Sequence, residues 1–330
     1  MKKLKEILEG TCIFRLYLRI AIWRKVHSAF LHEQREFASQ NMDVRSSRVG
    51  ESARLAAMYH VIEKGLTMPN RRLGFGQTMV IALTKRIIAF YEKYGEECAE
   101  SRHAIAVLLE YYKLHEREQF ELELATKDAL EKCLKGYGIE ASQQKQVTAE
   151  EYWRNNMADF AAFSSSRHSV RHYSDGIVPF ETIKSAVSLA NNAPSACNRQ
   201  PCKVYCVQDA EKKTKLLHIQ GGNRGFGHLA DKVLVVTCDR QAFMPNEPFS
   251  VHVNGGIYLM NLAYALHFYK IAHCILTWVP TAENDILAHK LLGIESTEAI
   301  IAIMTCGVLP REMMLAASPR KSVDETLALI

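Results

Sequence analysis

Apolar residues in the first 145 positions recur three and four residues apart, which is the spacing of one buried helix face. The pattern predicts helices over Gly50–Lys64, Gln77–Tyr94 and Ser101–Glu118. None of these stretches shows the period of two that is typical of strands. We therefore expect residues 1–147 to form an all-helical region.

The pattern changes after a polar segment at residues 136–146. Thr148 followed by Glu151 has the form of a capping box, which predicts the start of a helix. Strand-like runs then alternate with helix-like runs. The predicted strands are Lys203–Val207, Lys232–Thr237, His273–Val279 and Ala299–Thr305, and the predicted helices are Phe180–Asn191, Ala210–Gln220, His252–Tyr269 and Ala282–Leu292. This alternation is typical of a layered α/β or α+β domain, which we place at residues 148–330.

The composition is that of a folded globular protein, because 48% of the 330 residues are hydrophobic and 23% are charged. The net charge of +5 is supplied by residues 1–26, which hold seven basic and two acidic side chains. The remainder is close to neutral, and we expect no nucleic-acid partner. The nine cysteines include no CxxC pair, so we expect no metal site and a reducing, cytoplasmic environment.

The N-terminal segment combines apolar and basic residues. Its apolar run, Cys12–Trp23, is too short to span a bilayer and contains Arg15 and Arg19. Thr11, Arg15 and Arg19 lie four residues apart and would form one polar stripe on an apolar helix. Two interpretations stay open: peripheral membrane contact through residues 1–26, or a helix packed on its own protein.

The segment His60–Gly76 mixes glycine, proline and basic residues within the helical region. Such a segment could lie over an active site or contact an anionic substrate. It is equally consistent with a helix that ends at Gly65 and continues into a proline-containing connection.

Three clusters in the C-terminal half carry candidate chemistry. Arg167, Ser169 and Arg171 alternate, so an extended chain would point two guanidinium groups and a hydroxyl the same way, an arrangement suited to a phosphate. The loop Asn191–Pro201 is rich in amides that can pair with the edge of a planar heterocycle, or that can satisfy their own backbone in a rigid turn. Ser318–Ser322 is a cationic stretch that could close over the same phosphate, or could form a solvated tail.

Arg167-His-Ser-Val-Arg171 followed by Pro194-Ser-Ala-Cys-Asn-Arg-Gln-Pro201 resembles the opening pattern of the nitroreductase family. Later segments continue the resemblance in the same order, so that it covers residues 155–325. Cys202 departs from the family, which usually has an aromatic residue there. His267-Phe-Tyr-Lys-Ile-Ala272 also departs, because it replaces a glycine-rich turn.

The resemblance implies an FMN site. Arg167, His168, Ser169 and Arg171 would bind the phosphate and ribityl end, and Arg320 would return to the phosphate. Pro194, Ser195 and Asn198 would meet the isoalloxazine ring, with Thr277 and Trp278 near its N5 atom. No catalytic side chain is implied, since the flavin performs the chemistry.

The family further implies an α+β fold, with a mixed or antiparallel sheet flanked by helices, and a homodimer with FMN at the subunit interface. The expected activity is hydride transfer from NADH or NADPH through the flavin to a small electron-poor acceptor, such as a nitro compound or a quinone. Two alternatives stay open. One is a pathway-specific flavoprotein whose helical region restricts the substrate. The other is a membrane-associated flavin-fold protein without turnover. A redox role for Cys197 or Cys202 is also undecided.

Overall fold

The N-terminal part of the chain is helical, as the spacing of its apolar residues predicts. The computed structural model describes residues 11–42, 48–95, 98–135, 140–141, 144–244 and 247–330. Its first five helices are α1 Cys12–Met42, α2 Arg48–Thr67, α3 Gln77–Tyr94, α4 Ala99–Arg117 and α5 Leu124–Leu134. The three helices predicted in this part are confirmed, and their ends differ by at most three residues.

Helices α2 to α5 surround a hydrophobic core of their own. Leu83 and Ile87 of α3 lie four residues apart and are fully buried. Leu108 of α4 and Leu130 of α5 pack into the same cluster. Tyr111 is also buried, and its hydroxyl donates to the Phe75 carbonyl over 2.7 Å, which satisfies the only polar atom of its side chain.

A four-stranded antiparallel sheet forms the centre of the C-terminal half. The remaining helices are α6 Ala149–Trp153, α7 Phe160–Ser166, α8 Phe180–Ala190, α9 Ala210–Gln220, α10 Ser250–Phe268 and α11 Ala282–Leu292. The strands of the sheet are β2 Cys202–Val207, β3 Lys232–Asp239, β4 Ala272–Thr277 and β5 Glu298–Gly307, in the order β2-β3-β5-β4. The α+β expectation is confirmed, and all three strand pairs are antiparallel.

Helices cover both faces of this sheet. On one face, Leu234 of β3 packs in a cluster with α8 and α10. On the other face, Val233 and Val235 pack in a cluster with α9 and α11. Because β3 is central and covered on both faces, its side chains are buried in succession rather than in alternation. Strands β2 and β4 are left at the two edges.

A short ribbon joins the middle of the chain to its end. Strand β1, Lys145–Thr148, pairs antiparallel with β6, Glu312–Leu315. The sequence analysis did not predict this pair, because β1 is polar and short. The capping box at Thr148 and Glu151 is confirmed, and it begins α6. The division at residues 147 and 148 stays a prediction, and β1 lies directly across it.

Helix α1 exposes much of its apolar surface. Ile13 and Trp23 are 64% and 63% exposed. Among the helices of the described ranges, none is both long and apolar enough to cross a membrane. Residues 1–10 of the basic segment lie outside the described residues, and membrane contact through residues 1–26 stays a prediction.

Candidate functional site

The segment that carries Arg167 to Arg171 runs along the outer edge of β4. The Val170 amide donates to the His273 carbonyl over 2.9 Å. Tyr173 fixes the far end of the segment, since its hydroxyl donates to the Val170 carbonyl over 2.8 Å and lies 2.9 Å from Thr305 Oγ1. Val170 is buried, whereas Arg167 and Arg171 remain partly exposed. The backbone is therefore held by the sheet while the charged side chains stay accessible to a ligand.

Four polar side chains act electrostatically on the buried thiol of Cys274, which follows His273 in β4. They are Arg171, Ser169, Lys64 and Arg167. Burial raises the pKa of Cys274, while the three cations and the Ser169 hydroxyl act in the opposite direction. Three cations and a hydroxyl therefore act on the same position of the sheet edge.

The cations of this cluster have no carboxylate partner among the described residues. No ion pair there involves Lys64, Arg167 or Arg171. Burial lowers the pKa of Lys64, and the neighbouring Arg171 charge lowers it further. Positive charges that repel one another in a half-buried place are stabilised by an oxyanion, and arginine is well shaped to bind phosphate. The donor set fits the phosphate of FMN.

His168 lies beside these groups as a neutral side chain. Its Nδ1 is 2.9 Å from the Ser166 carbonyl, which can only accept, so Nδ1 carries the hydrogen. Burial lowers the pKa of His168, and the charges of Arg167, Arg320 and Lys145 lower it further. The charge of Arg320 thus acts on His168, and its role at a phosphate stays a prediction.

Arg320 belongs to a C-terminal tail that is held against the helical region. The Ser318 amide donates to Glu63 Oε1 over 3.2 Å, and the Ala317 amide donates to Gln144 Oε1 over 3.0 Å. Lys321 Nζ pairs with Glu100 Oε1 at 3.3 Å. Arg320 itself is exposed, and its Nη1 donates to the Ser318 carbonyl over 2.6 Å. Residues on both sides of Arg320 are thus bound by helices α2 and α4.

The loop Pro194–Asn198 lies at the opposite edge of the sheet, directly before β2. Ser195 Oγ accepts from the Gln200 amide over 2.9 Å, and the Ala196 amide donates to Asn254 Oδ1 over 2.8 Å. Asn198 has a φ of 54°, a left-handed conformation that is uncommon for residues other than glycine. Asn198 and Pro194 are exposed, and the loop borders a cavity of about 140 Å³. Such a rigid, exposed loop is suited to contact a flat ring.

Thr277 and Trp278 lie at the end of β4. The Thr277 carbonyl accepts from Gln220 Nε2 over 3.2 Å, and its side chain is exposed. Trp278 Nε1 donates to Asp285 Oδ1 over 2.8 Å, which fixes the indole against α11. Thr277 lies four positions after His273, which corresponds to about 13 Å along a strand. These two residues therefore share a sheet edge with the Arg167 cluster.

Within one chain, the loop Pro194–Asn198 and the Arg167 segment adjoin opposite edge strands of the sheet. The loop Pro194–Asn198 adjoins β2, and the Arg167 segment adjoins β4. Two strands separate β2 from β4, so the two edges are about 14 Å apart. One chain therefore supplies the two halves of the predicted site at different places.

The two departures from the family pattern have local structural explanations. The segment at His267 continues α10 instead of forming a glycine-rich turn, and Lys270 makes the turn with a φ of 56°. The buried His267 ring packs between the rings of Trp153 and Phe163. Burial lowers its pKa to about 3. Cys202 lies opposite Cys238 across the β2–β3 pair, where it packs partly buried beneath the loop.

The sequence analysis did not name Lys64 as a site residue. The segment His60–Gly76 was singled out for its mixture of glycine, proline and basic residues, and the possibility that it lies at an active site was left open. The electrostatic interaction of Lys64 with Arg171, more than one hundred positions later in the chain, depends on tertiary packing that no local pattern encodes.

Comparison with known proteins finds a family match that includes the Arg167 segment. Residues 165–223 match the model of the nitroreductase family. The nitroreductase resemblance is confirmed for this segment. The matched nitroreductase residues include both Arg167–Arg171 and Pro194–Pro201, the motifs that lie at the two sheet edges.

Two curated relatives match the nitroreductase segment. An iodotyrosine deiodinase of Haliscomenobacter hydrossis is 34% identical over 59 residues, which are 18% of this chain and 27% of the relative. A candidate NAD(P)H nitroreductase of Streptococcus pyogenes is 39% identical over 57 residues, which are 17% of this chain and 28% of the relative. The match thus spans little more than a quarter of each relative.

Solved structures cover more of the chain at lower identity. A nitroreductase-like protein of Streptococcus mutans is 20% identical and covers 53% of this chain and 98% of its own, with a TM-score of 0.46. A candidate nitroreductase of Desulfovibrio desulfuricans, solved in complex with FMN, is 21% identical and covers 50% and 92%, with a TM-score of 0.41.

Proposed function

We propose that this chain is an FMN-dependent oxidoreductase that takes hydride from NADH or NADPH. The electrons then pass to a small electron-poor acceptor, such as a nitro compound or a quinone. The observation that carries the proposal is the cluster of Arg167, Ser169, Arg171 and Lys64, which has no carboxylate partner in the described chain and lies at the start of the nitroreductase segment.

The protein's part in this reaction is binding and orientation. FMN, when bound, supplies hydride transfer through its N5 atom. Arg167 and Arg171 provide permanent charge for the phosphate, and Ser169 provides a hydroxyl beside them. Asn198 offers an amide that can donate and accept at the polar edge of a ring. No side chain needs to act as a nucleophile.

We further propose that the complete site needs a second copy of the chain. The two halves of the site lie at opposite sheet edges, so a homodimer can bring the loop of one protomer to the β4 edge of its partner. Helix α10 has a face suited to such contact. Phe249, Val253, Ile257 and Met260 follow one another at helical spacing and are all exposed, whereas Tyr258 and Leu262 are buried against the sheet.

Helix α1 extends this exposed apolar surface. Phe30 lies edge-on to Phe249, with the ring centroids 5.3 Å apart. One aromatic side chain of α1 therefore adjoins the stripe on α10. Large exposed apolar surfaces mark sites of association, and we assign this one to the partner protomer.

Anaerobic titration of the FMN-loaded protein with NADH, and separately with NADPH, tests the proposed activity. We expect one nucleotide or both to bleach the visible flavin absorbance stoichiometrically. A nitroaromatic compound or a quinone should then restore it. A flavin that dithionite bleaches but that neither nucleotide reduces would show that the protein is not an NAD(P)H oxidoreductase.

A further inference from the structure

The end of α2 carries two adjacent charged residues that face different parts of the site. Glu63 is fully buried, and Lys64 is half-buried. Adjacent residues of a helix point about 100° apart, so one helix turn can address two neighbouring surfaces. Here the two surfaces are the C-terminal tail and the Arg167 segment.

Glu63 fixes the tail to the helical region. Its Oε1 accepts the Ser318 amide over 3.2 Å and lies 3.1 Å from His103 Nε2, and its Oε2 lies 3.1 Å from His60 Nδ1. Burial alone would raise the pKa of Glu63, but the hydrogen bonds from His103, His60 and Ser318 hold it well below the usual value. The carboxylate is therefore ionised, and the Ser318 amide is held two residues before Arg320.

Lys64 lies four residues before Met68, and Met68 packs against the core cluster that contains Val170 and Tyr173, so the two lie on the side of α2 that meets the Arg167 segment. The charge of Lys64 interacts electrostatically with that of Arg171 and with the Cys274 thiol. No described carboxylate pairs with it, although Glu63 is its direct neighbour in the chain and is fully engaged elsewhere. Lys64 thus adds a third cation beside the segment that carries Arg167 and Arg171.

The end of α2 is packed firmly against the C-terminal half. Met68, one residue after α2, packs against the core cluster that contains Val170 and Tyr173. Thr67 and Met68 line one groove together with His172 and Met313. The end of α2 that carries Lys64 is therefore held in place by packing contacts as well as by the tail.

We propose that Lys64 is a ligand of the FMN phosphate, supplied by the helical region, and that Glu63 is the positioning residue that holds the tail with Arg320 at the same phosphate. This inference rests on the proposed function and extends it. It makes the helical region a fixed part of the cofactor site, so that the chain binds its phosphate with cations from three separate segments.

Fluorescence titration of the flavin-free protein with FMN, and in parallel with riboflavin, tests this role. Riboflavin has the same ring and ribityl chain but no phosphate. We expect Lys64→Gln to weaken FMN binding about ten- to a hundredfold, the loss typical of one charge-assisted hydrogen bond. Riboflavin binding should not change. Lys64→Arg should keep most of the FMN affinity, because it keeps the charge.

A matched control and a second variant complete the experiment. Lys85→Gln changes an exposed lysine of α3 in the same helical region and should leave both affinities unchanged. Glu63→Gln should weaken FMN binding selectively and should also increase amide hydrogen exchange in residues 316–321, which a direct ligand variant would not do.

The outcomes separate this inference from the proposed function. If the wild-type chain binds FMN and Lys64→Gln binds it equally well, the role of Lys64 is wrong while the proposed function stands. An equal loss of FMN and riboflavin binding would also overturn the phosphate assignment. If the wild-type chain binds no FMN, the proposed function itself fails and this inference fails with it.

Discussion

The double variant Arg167→Ala, Arg320→Ala is expected to be purified without flavin. A hydrogen bond to a charged group contributes about 1.5–3 kcal/mol, so the loss of two costs about 3–6 kcal/mol. That corresponds to about two to four orders of magnitude in the dissociation constant of FMN. The measurement is the dissociation constant from fluorescence titration, together with the flavin content after purification.

The control for this variant is an exposed arginine elsewhere. Arg117→Ala removes a guanidinium that pairs with Glu118 on the surface of the helical region, and it should not change FMN binding. Riboflavin affinity of the double variant should remain close to that of the wild type, since neither arginine is assigned to the ring. Stoichiometric FMN in the double variant would show that the phosphate lies elsewhere.

The second prediction with a large expected effect concerns FMN binding by dimers of two different variants. A chain with Arg167→Ala and Arg320→Ala lacks the phosphate half of the site, and a chain with Ser195→Trp carries a bulky ring where the loop should meet the flavin. Each homodimer then has two damaged sites. In a dimer of one chain of each kind, one interface site receives both changes and the other receives none. We expect this heterodimer to bind one FMN.

Two different affinity tags allow the heterodimer to be isolated from co-expressed chains. Both parent homodimers should be free of flavin, and the heterodimer should hold half a flavin per chain. A heterodimer without flavin, formed by chains that are folded and associated, would contradict a site shared between protomers. It would instead require Arg167 and the loop Pro194–Asn198 to act within one chain.

The elements of this fold follow closely from the apolar pattern. The runs at Gln77–Tyr94, Ala210–Gln220 and Ala282–Leu292 were predicted with the bounds that the structure has, because each is a helix with one face against a core. Strand β3 was recognised because its residues are buried on both faces and form a continuous apolar run.

The elements that were not predicted lack such a pattern. Strand β1 contains Lys145 and Gln146, which are both exposed, and it exists because β6 pairs with it from the other end of the chain. The pairing brings together residues more than 160 positions apart. Its energetic support comes from the partner strand rather than from local preference, so the sequence of β1 alone does not indicate it.

The candidate site likewise has features that the sequence predicts and features that it does not. The alternation of Arg167, Ser169 and Arg171 is compatible with phosphate binding, because arginine offers forked, permanently charged donors, but basic turns with serines are common. The resemblance then supplied the loop at Pro194–Asn198. Neither the alternation nor the resemblance indicated that the Arg167 segment and the loop Pro194–Asn198 adjoin opposite edges of the sheet. That placement follows from the strand order. The contribution of Lys64 likewise depends on the packing of α2.

The mass and molar ratio of the cofactor released from the purified protein test the central claim most directly. The protein is first incubated with excess FMN, then freed of unbound ligand, denatured and analysed by mass spectrometry and absorbance. The account predicts that the released compound has the mass of FMN, at close to one molecule per chain. A folded protein that retains no flavin after this treatment would contradict it.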